Sequence, residues 1–296
     1  MKNSRPIVFF GTEDFSAASL EALISKGFEV AAVVTKPDSK KGRGQKLTPP
    51  KVKIIAEKHQ IRVLQPSKMA EIVPFVESLP IRPIGVLVSF GRIIPQSIID
   101  LFDGGIINVH PSLLPKYRGP SPIESAILNG DDTTGISIMG LTKDMDAGPI
   151  YIQSEFPISS QVTAKTLYEM CESKGATLLS QSLEQIMRGD ILPSEQNHKQ
   201  ATYCSLLSKN DALLDPSRLT ADQAERQIRA FEIFPKSKIE IGENTVIVNS
   251  AEVCDISSSS PLEIKFKDGK FLKILTLTAP SGKKISAEEF ARGYLR

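Results

Sequence analysis

Short apolar runs alternate with helical patterns along the first 190 residues, and this alternation limits the possible folds more than any other feature of the sequence. The runs are short and rich in β-branched side chains, as buried strands are: Ile7–Phe10, Val30–Val34, Ile84–Ser89 and Gly105–Val109. Strands separated by helical segments pair in parallel, with helices on both faces of the sheet. The sequence therefore predicts an α/β domain with a doubly wound, mostly parallel sheet over residues 1–190. Ligands of such sheets bind beyond the carboxyl ends of the strands.

The pattern changes after Asp190. Residues 191–206 are polar, include Pro193 and follow no period, so we expect them to form a linker. A capping box at Thr220 predicts the start of a helix, and short strands joined by polar turns follow it. That spacing is typical of a small β-barrel, so the sequence predicts an OB-like barrel domain over residues 207–296.

Composition indicates the environment of the protein. Hydrophobic residues make up 41% and charged residues 24% of the 296 residues, as in ordinary globular proteins. The sequence has no run of eighteen apolar residues and starts with a polar stretch that leads straight into a strand pattern, so we expect neither a membrane span nor a signal peptide. Its cysteines, Cys171, Cys204 and Cys254, are spaced for neither a disulfide framework nor a zinc knuckle. We expect a cytoplasmic monomer.

Positive charge is concentrated in one segment, although the net charge of the chain is only +2. Eight basic and two acidic residues between Thr35 and Lys58 give this stretch a local charge of +6. Such a segment is either a solvated loop and helix face or a landing site for phosphate groups. Composition alone leaves both interpretations open.

The most informative stretch is Asn108-Val109-His110, at the end of a predicted strand. Alternate residues of a strand point to the same side, so the amide and the imidazole are expected side by side. The amide can stabilise a carbonyl oxygen that becomes an oxyanion, and the imidazole can do the same or accept a proton. In the structural alternative, His110 caps the following loop and Asn108 closes a turn.

A carboxylate follows in Asp144-Met145-Asp146-Ala147-Gly148, after a strand-like run that ends at Leu141. Aspartate is common in turns, so either acidic residue could be purely structural. An aspartate facing His110 would orient the imidazole and raise its basicity. The three histidines show no metal-ligand spacing, and no metal is expected.

The run Asn108-Val109-His110-Pro111-Ser112-Leu113-Leu114-Pro115, with Asp146 further along the chain, resembles the folate-dependent formyltransferases. The resemblance implies a formyltransferase-type Rossmann-like domain and 10-formyltetrahydrofolate as co-substrate. It assigns the catalytic roles to Asn108, His110 and Asp146, and the lining of the folate site to four residues: Ser112, Leu113, Leu114 and Pro115. Met145-Asp146-Ala147-Gly148 is similar to a Leu-Asp-Thr-Gly turn of the family, which favours Asp146 over Asp144.

The start Phe10-Gly11-Thr12-Glu13-Asp14-Phe15 and the basic loop are similar to the members of this family that formylate a charged tRNA. The resemblance implies initiator methionyl-tRNA as the partner, held by three basic residues of the loop: Lys41, Arg43 and Lys46. Two departures are present in the C-terminal part. Glu232-Ile233-Phe234-Pro235 replaces a Pro-Trp-Pro type turn, and residues 201–296 carry a net charge of only +1.

Other functions make different demands on the sequence. Glycinamide ribonucleotide formyltransferases share the Asn-x-His-Pro-Ser-Leu-Leu-Pro run but need a Gly-rich phosphate loop after the first strand, where this chain has Gly11-Thr12-Glu13-Asp14. A sugar-nucleotide amine formyltransferase has less use for a basic loop. A dinucleotide-dependent oxidoreductase would show G-x-G-x-x-G after the first strand, and a non-catalytic RNA-binding protein would not need the Asn108, His110 and Asp146 set.

Overall fold

The computed structural model describes residues 5–41, 44–258 and 260–295, with only the backbone of Lys41. These residues form two compact units. The first contains the described residues of Met1–Gly119, Thr134–Phe156 and Tyr168–Tyr203. The second contains those of Pro120–Thr133, Pro157–Leu167 and Cys204–Arg296. The predicted boundaries at residues 190 and 207 stay a prediction.

The strands of the larger sheet lie between Ile7 and Pro157. Its strands are β1 (Ile7–Gly11), β2 (Val30–Val34), β5 (Arg62–Leu64), β6 (Ile84–Val88), β7 (Ile106–His110), β8 (Thr133–Gly140) and β9 (Ile150–Pro157). They lie in the order β5-β2-β1-β6-β7-β8-β9. The first five pair in parallel, and β8 runs antiparallel to β7 with His110 opposite Ser137. A separate hairpin joins β3 (Ser39–Lys41) and β4 (Lys46–Thr48).

The helices in this part of the chain are α1 (Phe15–Ser25), α2 (Lys51–Lys58), α3 (Val73–Glu77), α4 (Gln96–Ile99), α5 (Pro122–Asn129) and α6 (Ala164–Arg188), and α6 follows the last strand of the sheet. Helices α4 and α6 lie on opposite faces of the sheet. On one face, Phe10 and Ile106 belong to the same buried cluster as Ile98 of α4. On the other, Gly175 of α6 lies so close to β7 that a Cβ there would be 3.2 Å from Val109. The doubly wound, mostly parallel sheet is therefore confirmed.

The C-terminal unit is an antiparallel sheet with helices packed on it. Its strands are β10 (Lys238–Ile241), β11 (Asn244–Cys254), β12 (Glu263–Lys265), β13 (Phe271–Thr278) and β14 (Lys284–Ser286), and its helices are α7 (Ala221–Ala230) and α8 (Ala287–Tyr294). The sheet order is β10-β11-β13-β12, and β14 also pairs with β13. Ile228 of α7 and Phe290 of α8 pack into the core of this sheet. The Thr220 capping box is present, with Gln223 as its partner. The unit is of the half-barrel type and confirms the predicted fold class.

Two further observations concern function. In the described ranges, no helix is both long enough and apolar enough to cross a membrane. Among the same residues, no group of three or more His, Cys, Asp or Glu side chains is arranged to hold a metal ion.

Candidate active site

Strand β7 presents Asn108 and His110 on one face at the carboxyl end of the parallel strands. Side chains alternate along a strand, so both share the face of Ile106, which is part of the apolar cluster under α4. Asn108 is 6% and His110 is 5% exposed. The two polar groups therefore extend an apolar face to the edge of the sheet where parallel α/β proteins bind ligands.

The loop after β7 returns to the histidine. Tyr117 has a left-handed backbone, with φ at 58°. This turn directs its carbonyl oxygen to Nε2 of His110 at 2.9 Å. A carbonyl oxygen can only accept, so Nε2 carries the hydrogen of this bond. In the neutral ring Nδ1 is then the unprotonated nitrogen.

Asp146 lies on the Nδ1 side of the same ring. Its carboxylate oxygen Oδ2 is 3.7 Å from Nδ1 of His110 and accepts a 2.8 Å hydrogen bond from the backbone N–H of Gly119. The Asp146 side chain is 14% exposed. A proton taken up by Nδ1 would therefore be held between the ring and a carboxylate. This arrangement is suited to accepting and releasing a proton during acyl transfer.

The turn that carries Asp146 is specified by its sequence. A Cβ at Gly148 would lie 1.9 Å from the carbonyl oxygen of Gly140, so only glycine allows the chain to return this close to β8. Asp146 itself has φ at 49°, a left-handed conformation that aspartate and asparagine adopt more readily than most residues. The turn thus needs the residue types that the sequence supplies.

The Ser112–Pro115 segment, assigned to the folate site by resemblance, is largely used to build the loop. Ser112 and Leu114 are buried, and Leu113 and Pro115 are half-buried. The Ser112 hydroxyl donates to the carbonyl oxygen of Lys116 at 2.6 Å. The folate contacts of these four residues stay a prediction.

Neighbouring strands hold this segment in place. The Ser137 hydroxyl of β8 donates to the carbonyl oxygen of Ser112 at 2.6 Å and accepts from the Leu114 N–H at 3.0 Å. Gln153 of β9 donates through Nε2 to the carbonyl oxygen of Leu114 at 2.9 Å. The segment is therefore fixed to the sheet on the side of β8 and β9.

Sequence reasoning missed a second set of contacts, made by the stretch expected to be a linker. Thr202 accepts from the Tyr117 N–H through its hydroxyl at 2.9 Å and from the Arg118 N–H through its carbonyl at 2.9 Å. Gln196 is buried and bonds both Arg118 and the Asp146 turn. The polar, aperiodic sequence of residues 191–206 gives no signal that would have indicated these contacts.

The basic loop is only partly described. Arg43 lies outside the described residues, and no side chain is described for Lys41. Lys46 is exposed at the start of β4. At the base of the hairpin, Lys53 of α2 binds both carboxylate oxygens of Asp38 at 2.9 Å, and Gln65 donates to Asp38 at 2.8 Å. The hydrogen bond from Gln65, and then the contact with Lys53, hold the pKa of Asp38 below its usual value. Asp38, Lys53 and Gln65 therefore form a charged anchor directly before the first strand of the hairpin.

Comparison with known proteins identifies the class to which this fold and site belong. The formyl transferase family matches residues 5–183, and the formyl transferase C-terminal domain matches residues 206–295. The chain belongs to the formyltransferase family.

Within this family, the full-length relatives include methionyl-tRNA formyltransferases. The Sulfurihydrogenibium protein is 36% identical over 97% of this chain and 96% of its own length. The Thermotoga maritima protein is 36% identical over 98% of this chain and 95% of its own length. The Desulfotalea psychrophila enzyme is 42% identical over 80% of this chain and 73% of its own.

Solved structures share the fold at lower sequence identity. An N-formyltransferase from Helicobacter canadensis, solved with folinic acid and dTDP-3-aminofucose, superposes with a TM-score of 0.69 at 23% identity. It covers 90% of this chain and 98% of its own. The sugar 3N-formyltransferase WlaRD, solved with dTDP and 5-N-formyl-THF, superposes with a TM-score of 0.70 at 20% identity. It covers 92% of this chain and 98% of its own. These likenesses establish the fold alone.

Proposed function

We propose that this protein transfers the formyl group of 10-formyltetrahydrofolate to the free amino group of initiator methionyl-tRNA. The observation that carries the proposal is the His110 imidazole, flanked by the Tyr117 carbonyl and the Asp146 carboxylate and preceded on its face by Asn108. The full-length similarity to methionyl-tRNA formyltransferases supports the choice of acceptor.

The proposed reaction is a single direct transfer. The amine nitrogen attacks the formyl carbon, a new C–N bond forms, and the bond between that carbon and the folate nitrogen breaks. The amine loses one proton and the folate nitrogen gains one, so the reaction is balanced without another reagent. A covalent enzyme intermediate is not required.

Each proposed catalytic residue has a separate task. The Asn108 amide donates to the formyl oxygen as negative charge develops on it, and the positive charge of protonated His110 adds electrostatic stabilisation. Asp146 orients the imidazole and stabilises its charged form. An amide, an imidazole and a carboxylate can perform these hydrogen-bonding and proton-transfer tasks.

The co-substrate and the tRNA are assigned to different parts of the N-terminal unit. We assign folate contacts to the Ser112–Pro115 segment, in which Leu113 and Pro115 keep partial exposure. We assign the acceptor end of the tRNA to Lys41, Arg43 and Lys46, because this segment holds the +6 charge that attracts phosphates. We further propose that the protein acts as a monomer in the cytoplasm.

The deciding experiment offers three acceptors in parallel with 10-formyltetrahydrofolate: methionyl initiator tRNA, glycinamide ribonucleotide and an amino-sugar nucleotide. We expect a clear preference in kcat/KM for the charged tRNA. Uncharged initiator tRNA, which lacks the amine, is the control and should accept no formyl group. A preference for either small acceptor would refute the proposal.

An Asn108→Ala variant connects this activity to the candidate site. Removal of one oxyanion donor typically lowers kcat by about 100- to 1,000-fold. We expect a loss in that range with little change in folate affinity. Near-normal turnover would remove Asn108 from the mechanism.

A further inference from the structure

Gln196 is a buried side chain whose polar atoms are all engaged. It is 5% exposed and lies in the stretch after α6. Its Nε2 donates to the carbonyl oxygens of Asp146 at 2.8 Å and Gly148 at 2.7 Å. Its Oε1 accepts from Arg118, from Nε at 3.1 Å and from Nη2 at 2.6 Å. One amide group thus joins two segments that are distant in sequence.

Both segments reach the imidazole of His110. Arg118 directly follows Tyr117, whose carbonyl oxygen accepts from Nε2 of the imidazole. Asp146 faces Nδ1 of the same ring. The imidazole lies between the Tyr117 carbonyl and the Asp146 carboxylate. Gln196 therefore fixes the positions of these two groups relative to each other.

The direction of each bond explains why glutamine is needed at this position. The turn at Asp146 offers two carbonyl oxygens and requires a donor, whereas the Arg118 guanidinium is a donor and requires an acceptor. A primary amide has an N–H₂ group and a carbonyl oxygen on one carbon, so it serves both. Because the site is buried, a residue that failed at either end would leave polar groups without partners.

We propose that Gln196 is a positioning residue that sets the Asp146 carboxylate against the His110 imidazole. This inference rests on the proposed function, because the imidazole is the group that handles protons in the formyl transfer. Gln196 acts through Asp146 and Arg118 and has no role as a donor to the substrate. Displacement of a reacting group by about 1 Å can cost on the order of a hundredfold in rate.

Gln196→Met removes both ends of the amide while keeping the length of the side chain. We expect kcat to fall by about 10- to 100-fold, with the KM values for tRNA and folate within about twofold of the original protein. In an Asp146→Asn background the same substitution should cost little more, because the contact it supports is already changed. Full activity of Gln196→Met, or losses that simply multiply in the double variant, would overturn the proposal.

Gln196→Glu separates the two ends of the amide. A carboxylate still accepts from Arg118, but it places an oxygen against the carbonyl oxygens of Asp146 and Gly148. We expect a loss at least as large as for methionine, and near-normal activity would show that the Asp146 turn does not depend on Gln196. The ion pair with Arg118 also keeps this variant useful if Gln196→Met does not fold. Gln200→Met, an exposed glutamine four residues further on, is the matched control and should keep full activity.

A measurement without substrate distinguishes failure of this inference from failure of the proposed function. The ¹⁵N chemical shifts of the His110 ring report its tautomer and its partners. We expect the Nδ1 shift of Gln196→Met to move towards that of Asp146→Asn, while Gln200→Met matches the original protein. An unchanged His110 ring in Gln196→Met would overturn the positioning role even if the protein formylates methionyl-tRNA as proposed. A changed ring supports the role whichever acceptor is preferred.

Discussion

Asp146 combines an unfavourable backbone conformation with two hydrogen bonds in a turn that Gly148 allows to close. Left-handed conformations of residues other than glycine cost on the order of 1–3 kcal/mol and persist where the surroundings enforce them. Here the Asp146 carbonyl accepts from Gln196, its carboxylate accepts from the Gly119 N–H, and Gly148 allows the turn to close against Gly140. These contacts therefore hold the strained backbone in place, and with it the carboxylate at the His110 ring.

Asp146→Asn isolates the charge of this carboxylate. Asparagine tolerates the left-handed backbone and can still accept from the Gly119 N–H, so the turn should be retained. In the proposed mechanism, loss of the charge removes the group that stabilises protonated His110. We expect the single-turnover rate of formyl transfer to fall by about a hundredfold or more.

Asp144→Asn is the matched control, because this aspartate is exposed and lies two positions away in the same turn. It should retain full activity and also tests the preference for Asp146 that the sequence resemblance implied. Equal losses in the two variants would assign the effect to the turn as a whole and contradict a specific role for Asp146.

At the scale of elements, the β3–β4 hairpin depends on a charged anchor rather than on apolar packing. Asp38, Lys53 and Gln65 bind one another at its base, and the side chains of Asp38 and Lys53 are 23% and 19% exposed. Because these contacts lower the pKa of Asp38, its stabilisation is complete above the ordinary value of 3.8 and is lost only as the pH falls through the lowered pKa. The anchor is therefore intact at neutral pH.

Asp38→Asn should loosen the hairpin without disturbing the candidate site at Asn108, His110 and Asp146. We expect faster hydrogen exchange of the amides of residues 39–48, and a several-fold higher KM for charged tRNA with kcat unchanged. Asp14→Asn is the control, since its ion pair with Lys51 is about 60% exposed and such pairs contribute little. Unchanged exchange in Asp38→Asn would show that the anchor does not order the hairpin.

The elements also show how far the sequence could predict the fold. Strands β1 and β7 were predictable because their apolar runs are local and continuous. The 25-residue α6 was missed, since small residues such as Cys171 and Ala176 weaken its apolar stripe. The β3–β4 hairpin is rich in lysine, and pairing between its strands rather than β-propensity defines it.

The same contrast holds in the candidate site. Asn108, His110 and Asp146 could be proposed as catalytic residues because their residue types and order in the sequence are specific, and their roles stay a prediction. Gln196 was missed because its contacts are backbone carbonyls some 50 positions away and a distant arginine. A glutamine in a polar stretch without hydrophobic periodicity gives no local indication of such partners.

For the whole molecule, the distribution of charge matters more than its total. A net charge of +2 provides little long-range attraction for a polyanion, and residues 201–296 contribute only +1. The +6 segment between Thr35 and Lys58 is thus the main source of attraction for phosphate groups that the sequence offers. Binding of tRNA should consequently be sensitive to single charges in this segment and insensitive to most others.

The salt dependence of tRNA binding tests this distribution directly. Each phosphate contact releases counterions, so the logarithm of the binding constant falls linearly with the logarithm of salt concentration. We expect Lys46→Gln and Arg43→Gln each to reduce the slope by about one unit, with folate affinity unchanged. Lys26→Gln, an exposed lysine at the end of α1, is the control and should leave the slope as it is. If Lys46→Gln and Arg43→Gln both gave the original slope, these two residues would not contact the tRNA backbone.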